Sequence, residues 1–165
     1  MADNKQEEHL DEQQLVVFSL AGEAYGIDIN AVREIIRMQT ITNVPRTPEF
    51  VEGVINLRGK VIPVVNLRMR FGLPVVEQTD DHRIVWVDIQ GQDIGMIVDA
   101  VTEVMRIKTD SVEPPSSVIT TAESDYLAGL AKLDGRMIIL LELDRVLAGA
   151  ADHTSERALG VAAAA

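Results

Sequence analysis

The chain is organised around the stretch VVFSLAGEAYGIDINAVREIIRM, which spans residues 16–38. This stretch can be laid without a gap over VWVDIQGQDIGMIVDAVTEVMRI, residues 85–107, so that Gly26 meets Gly95. Self-similarity at a fixed spacing indicates that one structural unit occurs twice in a chain. The same unit is therefore predicted in both halves.

A second block repeats in the same order. The segment that begins at Gly53 lies over the segment that begins at Gly129, with Leu57 on Leu133. Because both blocks follow one another in both halves, the pattern predicts an internal duplication.

The first block predicts a β-hairpin followed by a short helix. Apolar residues alternate with others over residues 16–20, Gly22-Glu23 offers a turn, and an extended pattern resumes after it. Asn30 then occupies a helix N-cap position, and apolar residues recur at helical spacing over residues 31–36. In the copy, Asp99 stands at the capping position, so a second helix is predicted after it.

The second block predicts another hairpin in each half. The dipeptides Arg58-Gly59 and Asp134-Gly135 separate two extended runs and are typical of tight two-residue turns. Residues 66–71 and 142–147 each place large apolar side chains about one helical turn apart, which predicts a short helix after each hairpin. Many short strands separated by glycine and proline predict two small antiparallel barrels that meet at a groove.

Composition excludes several classes of function. The 165 residues are 47% apolar and contain no cysteine, so disulfides and thiolate chemistry are excluded and a reducing compartment is favoured. No run approaches the roughly 20 apolar residues of a membrane span. The net charge of −11 disfavours nucleic acid and anionic lipid as partners. We expect a cytoplasmic protein that is not inserted in a membrane.

The two ends of the chain differ in composition from the rest. Residues 1–14 are acidic and are predicted to form a disordered arm, and residues 148–165 form an alanine-rich tail. The folded domain is predicted to span residues 15–147, with pseudo-repeat halves of about 15–72 and 84–147.

The sequence offers little catalytic chemistry. His9, His82 and His153 lie one in each tail and one in a loop, so no pair has the spacing of metal-binding histidines, and Asp80-Asp81-His82 is interpreted as a polar linker. No nucleophile elbow, phosphate-binding loop or dinucleotide motif is present in the sequence. Trp86 is assigned to the core. The protein is predicted to be no enzyme and to need no cofactor, although a hydrolase that uses surface carboxylates remains an alternative.

The most unusual feature is surplus apolar surface. Ile29, Val32, Ile35 and Ile36 leave little polar surface on the short first helix and the strand before it, and residues 61–65 form a nearly continuous apolar run. Either a partner protein or the second barrel covers these side chains. Surplus apolar surface without catalytic groups is typical of a binding module.

Residues 15–147 resemble the CheW family of bacterial chemotaxis coupling proteins. Four segments carry the resemblance: YGIDI at 25–29, GVINLRG at 53–59, VIPVVNLR at 61–68 and YLAGL at 126–130. The resemblance implies a mainly β fold of two similar five-stranded SH3-like barrels, with short helices where they meet.

The resemblance also implies partners. Family members join the cytoplasmic tips of chemoreceptors to the regulatory domain of the histidine kinase CheA and have no catalytic activity. By position in the matching motifs, the receptor-facing residues would be Val32, Glu34, Asn56, Arg58 and Gly59. The candidates for the kinase contact are Ile29, Ile35 and Ile36.

The receptor-facing set is plausible on physical grounds. An amphipathic helix is held by an apolar groove whose polar rim fixes its register. Val32 could line such a groove, while Glu34 and Arg58 could form charge-assisted bonds at its rim. The alternative assignment is a stand-alone docking or regulatory domain of another two-component pathway, which would share the fold and differ in its partners.

Overall fold

A computed structural model describes residues 12–114 and 126–150, and within them the chain is mainly β-structure. The strands are β1 Glu12–Leu20, β2 Glu23–Asp28, β3 Val32–Arg37, β4 Val51–Leu57, β5 Lys60–Asn66, β6 Arg83–Ile89, β7 Gln92–Val98, β8 Ala100–Lys108, β9 Val112–Glu113, β10 Leu127–Leu133 and β11 Arg136–Leu141. The short helices are α1 Leu67–Arg70 and α2 Leu143–Val146, and 3-10 turns lie at Ile29–Ala31 and Thr109–Ser111.

The strands form two sheets, each of which curls into a small barrel. The first barrel has the order β8-β1-β2-β11-β10-β9, and the second has β3-β6-β7-β5-β4. The chain leaves β8 at one edge of the first sheet and returns as the two-residue β9 at the other edge. In the second barrel, Thr42 follows β3 and pairs with Val54 of β4. The predicted pair of barrels is confirmed.

The two halves exchange strands. The hairpin β1–β2 of the first half pairs with β8 and β11 of the second half, while β6–β7 of the second half pairs with β3 and β5 of the first. When the repeated strands are matched, the two sheets have the same strand order. Gly26 faces Leu140 in one parallel pair and Gly95 faces Val64 in the other, at matching repeat positions. Each barrel thus contains one parallel pair, which the prediction of antiparallel barrels did not include.

The prediction of a helix over residues 31–36 is wrong. Ala31 ends a 3-10 turn and residues 32–36 belong to β3, while the matching residues of the copy belong to β8. Asn30 is no N-cap, because the Asp28 side chain accepts a hydrogen bond from the Asn30 amide in the single 3-10 turn before β3. Two isolated helical turns are unstable in water, whereas β-branched side chains pack well on an edge strand that pairs with β6.

Three apolar clusters hold the molecule together. Each barrel has its own interior, and a larger central cluster lies between the barrels. Strand β1 supplies two of them, since Leu15 and Val17 point into the first barrel and Val16 and Phe18 point into the central cluster. Strands buried on both faces read as continuous apolar runs, which explains why the first block lacks a polar face.

The second barrel accounts for part of the apolar surplus. Ile62 and Val64 lie in its interior and Val65 in the central cluster, while Val61 remains 51% exposed. Trp86 is 8% exposed and lies in the same interior, so its assignment to the core is confirmed. Most of the surplus is therefore covered by the chain itself.

The predicted hairpin turns and the two short helices predicted after the second block are present, with small shifts. Arg58 and Gly59 have φ values of +54° and +86°, as a type I′ hairpin requires, and the Asn66 side chain caps α1. The first hairpin turns at Ala21 and Gly22, one residue before the predicted turn. Among the described residues, no helix is long and apolar enough to cross a membrane.

The ends of the folded region differ from the predicted boundaries. Strand β1 begins at Glu12, three residues before the predicted start, and Ala150 is fully buried in the central cluster although it was assigned to the tail. The remainder of the predicted arm and tail, residues 1–11 and 151–165, lies outside the described residues.

Candidate partner-binding site

Arg58 and Glu34 form an ion pair at the mouth of the second barrel. The Arg58 Nη2 atom lies 2.6 Å from each oxygen of the Glu34 carboxylate. Arg58 comes from the β4–β5 turn and Glu34 from β3, so tertiary folding joins residues that are 24 positions apart. The two side chains are 67% and 35% exposed. Such an exposed pair contributes little to stability, yet it leaves guanidinium donors available to a partner.

Asn56 shapes the turn that presents Arg58. Its side-chain oxygen accepts a hydrogen bond from the Gly59 amide at 3.1 Å. This bond bridges the turn, in which Arg58 adopts a left-handed backbone conformation. Four of the five predicted receptor-facing residues, Glu34, Asn56, Arg58 and Gly59, therefore meet at one place.

Val32, the fifth predicted receptor-facing residue, points toward the central cluster and away from the other four. It is half-buried, pairs with Val87 of β6 and packs against the central cluster. Val32 therefore supports the start of β3 and does not line the mouth of the second barrel beside the ion pair.

The three predicted kinase-contact residues do not form one surface. Ile29 packs against the central cluster and Ile36 against the interior of the second barrel. Ile35 is 38% exposed and is the one of the three with substantial free apolar surface. A contact that uses all three would combine direct contact at Ile35 with support from the other two.

Further charges at this mouth were not predicted from the sequence. Arg33 bridges Asp88 and Asp93 with N–O distances of 2.7 and 3.0 Å, and Lys60 approaches Asp93 at 3.2 Å. The hydrogen bond from Arg33 is the main reason that the pKa of Asp88 is lowered. Asp88 and Asp93 flank the β6–β7 turn, and their position beside this turn was the feature of the sequence from which these charges could have been predicted. The mouth therefore carries a balanced set of fixed charges.

An apolar groove lies where the halves meet. Four aromatic rings follow one another in the order Phe18, Tyr25, Phe71, Tyr126, with centroid distances of 5.9, 5.8 and 5.6 Å; the first two pairs are stacked and the third is tilted. The Arg70 guanidinium lies 5.0 Å from the Tyr126 ring centroid. The groove is lined by Tyr25, Phe71, Leu73, Tyr126, Leu127, Ile139 and Leu141. The sequence predicted a groove between the barrels, but not these aromatic residues, although they are a large share of the few the chain contains.

A partly buried polar cluster ties the linker around His82 to both barrels. Arg68 donates to Asp99 through Nε at 2.9 Å and Nη2 at 2.5 Å, and the Ala21 amide donates to Asp99 at 2.9 Å. Burial alone would raise the pKa of Asp99, but the hydrogen bonds from Arg68 and the Ala21 amide hold it below its ordinary value. His82 is buried, and its Nδ1 accepts a hydrogen bond from the Thr79 amide.

This cluster corrects the interpretation of residues 80–82 as a simple polar linker, because His82 is a packed structural residue. Among the described residues, no group of three or more His, Asp or Glu side chains is arranged to hold a metal ion.

Comparisons with known proteins place the fold and the site in context. Residues 14–151 match a family model described as a CheW-like domain. "Chemotaxis protein CheW" of Klebsiella aerogenes is 33% identical over 135 residues, which cover 82% of this chain and 81% of that protein. The protein of the same name from Helicobacter pylori is 34% identical over 146 residues, or 88% of each chain.

A solved structure agrees with these sequence matches. The crystal structure of the scaffolding protein TtCheW from Thermoanaerobacter tengcongensis is 50% identical in sequence and superposes with a TM-score of 0.73, covering 79% of this chain and 84% of that one. Because the family model and these relatives each match most of the chain, the protein belongs to the CheW-like family.

Proposed function

We propose that this protein is a cytoplasmic, non-enzymatic adaptor of bacterial chemotaxis that couples chemoreceptor tips to the regulatory domain of the histidine kinase CheA. The observation that carries the proposal is the meeting of Glu34, Asn56, Arg58 and Gly59 at one exposed position on the second barrel. The names of its relatives, which are chemotaxis and scaffolding proteins, support the same conclusion.

The receptor tip binds at the mouth of the second barrel in this proposal. The β4–β5 turn is fixed by the bond between Asn56 and Gly59, so Arg58 is presented in one orientation. Glu34 binds the Arg58 guanidinium at Nη2, and the other N–H groups of Arg58, for which the described residues supply no hydrogen-bond acceptor, can bond polar groups on a helix of the receptor. Fixed charges of this kind set the register of an amphipathic helix.

The kinase regulatory domain binds a separate surface that includes Ile35. Ile35 lies on the opposite face of β3 from Glu34, because neighbouring residues of a strand point to opposite faces. Ile29 packs against the central cluster on this side of the strand, whereas Ile36 lies on the Glu34 face and packs into the interior of the second barrel. Two faces of one strand would then serve two partners.

Binding measurements with the two partners test the proposal. The change is Arg58→Ala, and the matched control is Arg136→Ala, which removes from the first barrel the exposed ion pair of Glu103, the repeat counterpart of Glu34. Losing a charge-assisted hydrogen bond of about 1.5 kcal/mol should weaken binding to a receptor cytoplasmic fragment about tenfold. The control should bind as the parent protein does.

Calorimetric titration with the CheA regulatory domain supplies the second measurement. Arg58→Ala should bind this domain with unchanged affinity, whereas Ile35→Asp should bind it weakly and retain the receptor fragment. If the parent protein binds neither fragment, the coupling function is refuted. If Arg58→Ala binds the receptor fragment normally, the site is wrong while the adaptor function stands.

A further inference from the structure

Strand β3 carries one extra residue, Arg33, beside the ion pair. Val32 faces Val87 of β6 and Glu34 faces Trp86, so β3 advances by two residues where β6 advances by one. In a regular strand, Val32 and Glu34 would point to the same face. The bulge separates them, because Val32 packs on the central cluster while Glu34 shares the face of Trp86.

Without this bulge, Glu34 would lose its position. If the register at Val32 were kept, Glu34 would lie opposite Val85, whose side chain belongs to the central cluster. A carboxylate directed toward apolar side chains is strongly unfavourable, and it would no longer reach Arg58. The bulge therefore decides whether the pair of Glu34 and Arg58 can form.

The side chain of Arg33 connects the bulge to both strands of the β6–β7 hairpin. Its Nη2 atom lies 2.7 Å from Asp88 of β6, and its Nε atom lies 3.0 Å from Asp93 of β7. The Asp93 side chain is only 18% exposed, so this contact is partly shielded from water. Asp88 is itself fixed by a hydrogen bond from the Gly91 amide at 2.9 Å.

The other half of the chain has a corresponding bulge, which is anchored by a different side chain. Strand β8 has its extra residue at Thr102, since Val17 faces Glu103 and Phe18 faces Val101. The Thr102 hydroxyl donates to the carbonyl of Val17 at 3.1 Å. Beyond that bulge, Glu103 pairs with an arginine of the β10–β11 hairpin. In both barrels, the extra residue is tied down and the next residue is a paired glutamate.

We propose that Arg33 is a positioning residue for the partner-binding site: by binding Asp88 and Asp93, it holds the β3 bulge that turns Glu34 toward Arg58. Its importance for receptor binding rests on the proposed function. The effect of Arg33 on the ion pair between Glu34 and Arg58 does not depend on the proposed function, so receptor binding and the ion pair can be measured separately.

The first measurement needs no partner. The Nε–H resonance of the Arg58 side chain is recorded by NMR in the full-length protein, and Glu34→Gln shows where the resonance lies without the ion pair. Arg33→Ala should move the resonance to that position, and adding Glu34→Gln should then change nothing further. Arg37→Ala is the control, because Arg37 is exposed on the same strand and makes no ion pair within the described residues. An unchanged Arg58 resonance in Arg33→Ala would overturn the proposal.

The second measurement is a double-mutant cycle for the receptor fragment. Arg33→Ala should weaken binding about fivefold, and Arg58→Ala should then add less than about a twofold loss, because coupled residues are not additive. If Arg33 only stabilised the fold, Arg58→Ala would keep its full effect in the Arg33→Ala background, which would refute the positioning role. If Arg58→Ala has no effect in the parent protein, the proposed receptor site fails, and the NMR result still decides the role of Arg33.

Discussion

Replacing Arg68 with methionine should destabilise the protein substantially. Arg68 donates two charge-assisted hydrogen bonds to Asp99, and the two side chains are only 14% and 20% exposed. Methionine keeps much of the apolar volume and removes the charge, which leaves Asp99 with the Ala21 amide as its hydrogen-bond donor and His82 nearby. For a partly buried pair of this kind we expect a loss of about 2–3 kcal/mol in the free energy of unfolding.

The loss should depend on pH in a defined direction. Because the folded pKa of Asp99 is lowered, its ionised form stabilises the folded state above the unfolded pKa of 3.8, and this contribution disappears as the pH falls through the folded pKa. The difference between the parent protein and Arg68→Met should therefore be full at pH 6 and should shrink below about pH 4.

Urea unfolding at several pH values, followed by the fluorescence of the single tryptophan Trp86, measures the loss in the free energy of unfolding and its dependence on pH. In thermal unfolding near neutral pH, the melting temperature of Arg68→Met should be lower than that of the parent protein by roughly 5–10 °C. Arg136→Met is the matched control, since its pair with Glu103 is 51% and 36% exposed and should be worth less than about 1 kcal/mol. A loss no larger than that of the control, or one that stays constant from pH 6 to pH 3, would refute the reasoning.

Two further predictions concern the second barrel and use matched variants in urea unfolding. Gly53→Ala should destabilise the protein by about 3 kcal/mol or more, because the new Cβ would lie 2.1 Å from the carbonyl oxygen of Thr42 at a φ of +157°. Gly59→Ala should cost only about 1 kcal/mol, because its Cβ would meet nothing within 4 Å. Equal losses for the two variants would contradict the close approach at Gly53. Ile62→Ala should destabilise by about 3–4 kcal/mol, since Ile62 is 1% exposed, whereas Val61→Ala at 51% exposure should change stability by less than about 0.5 kcal/mol; a small effect at Ile62 would place it outside the core.

Local patterns in the sequence predicted the duplication and the hairpins well. The turns at Arg58-Gly59 and Asp134-Gly135 need only their own residues, which is why both are found where predicted. The helix over residues 31–36 failed because its apolar spacing also suits a bulged strand, and pairing with β6 decides between them. The exchange of hairpins could not be foreseen, because self-similarity shows which segments correspond but not which copy each one pairs with.

The candidate site was predicted in part for the same reason. The Arg58-Gly59 dipeptide identified the turn, and the family resemblance pointed to Glu34, but the 2.6 Å contact between them depends on how β3 meets the β4–β5 hairpin. Arg33 was not singled out because an exposed arginine beside a glutamate is common on any strand. Its importance appears only when Asp88 and Asp93 are seen on the adjoining hairpin.

The exchange of hairpins between the halves has a mechanical consequence. Each barrel is completed by strands from the other half, so pulling the two halves apart would break strand pairings in both sheets. The central cluster packs apolar side chains from both sheets against one another. A load applied by one protein at the first barrel is therefore borne at once by the second. For a component that joins two larger assemblies, this makes the molecule a stiff spacer that fixes the distance and angle between whatever grips its two ends.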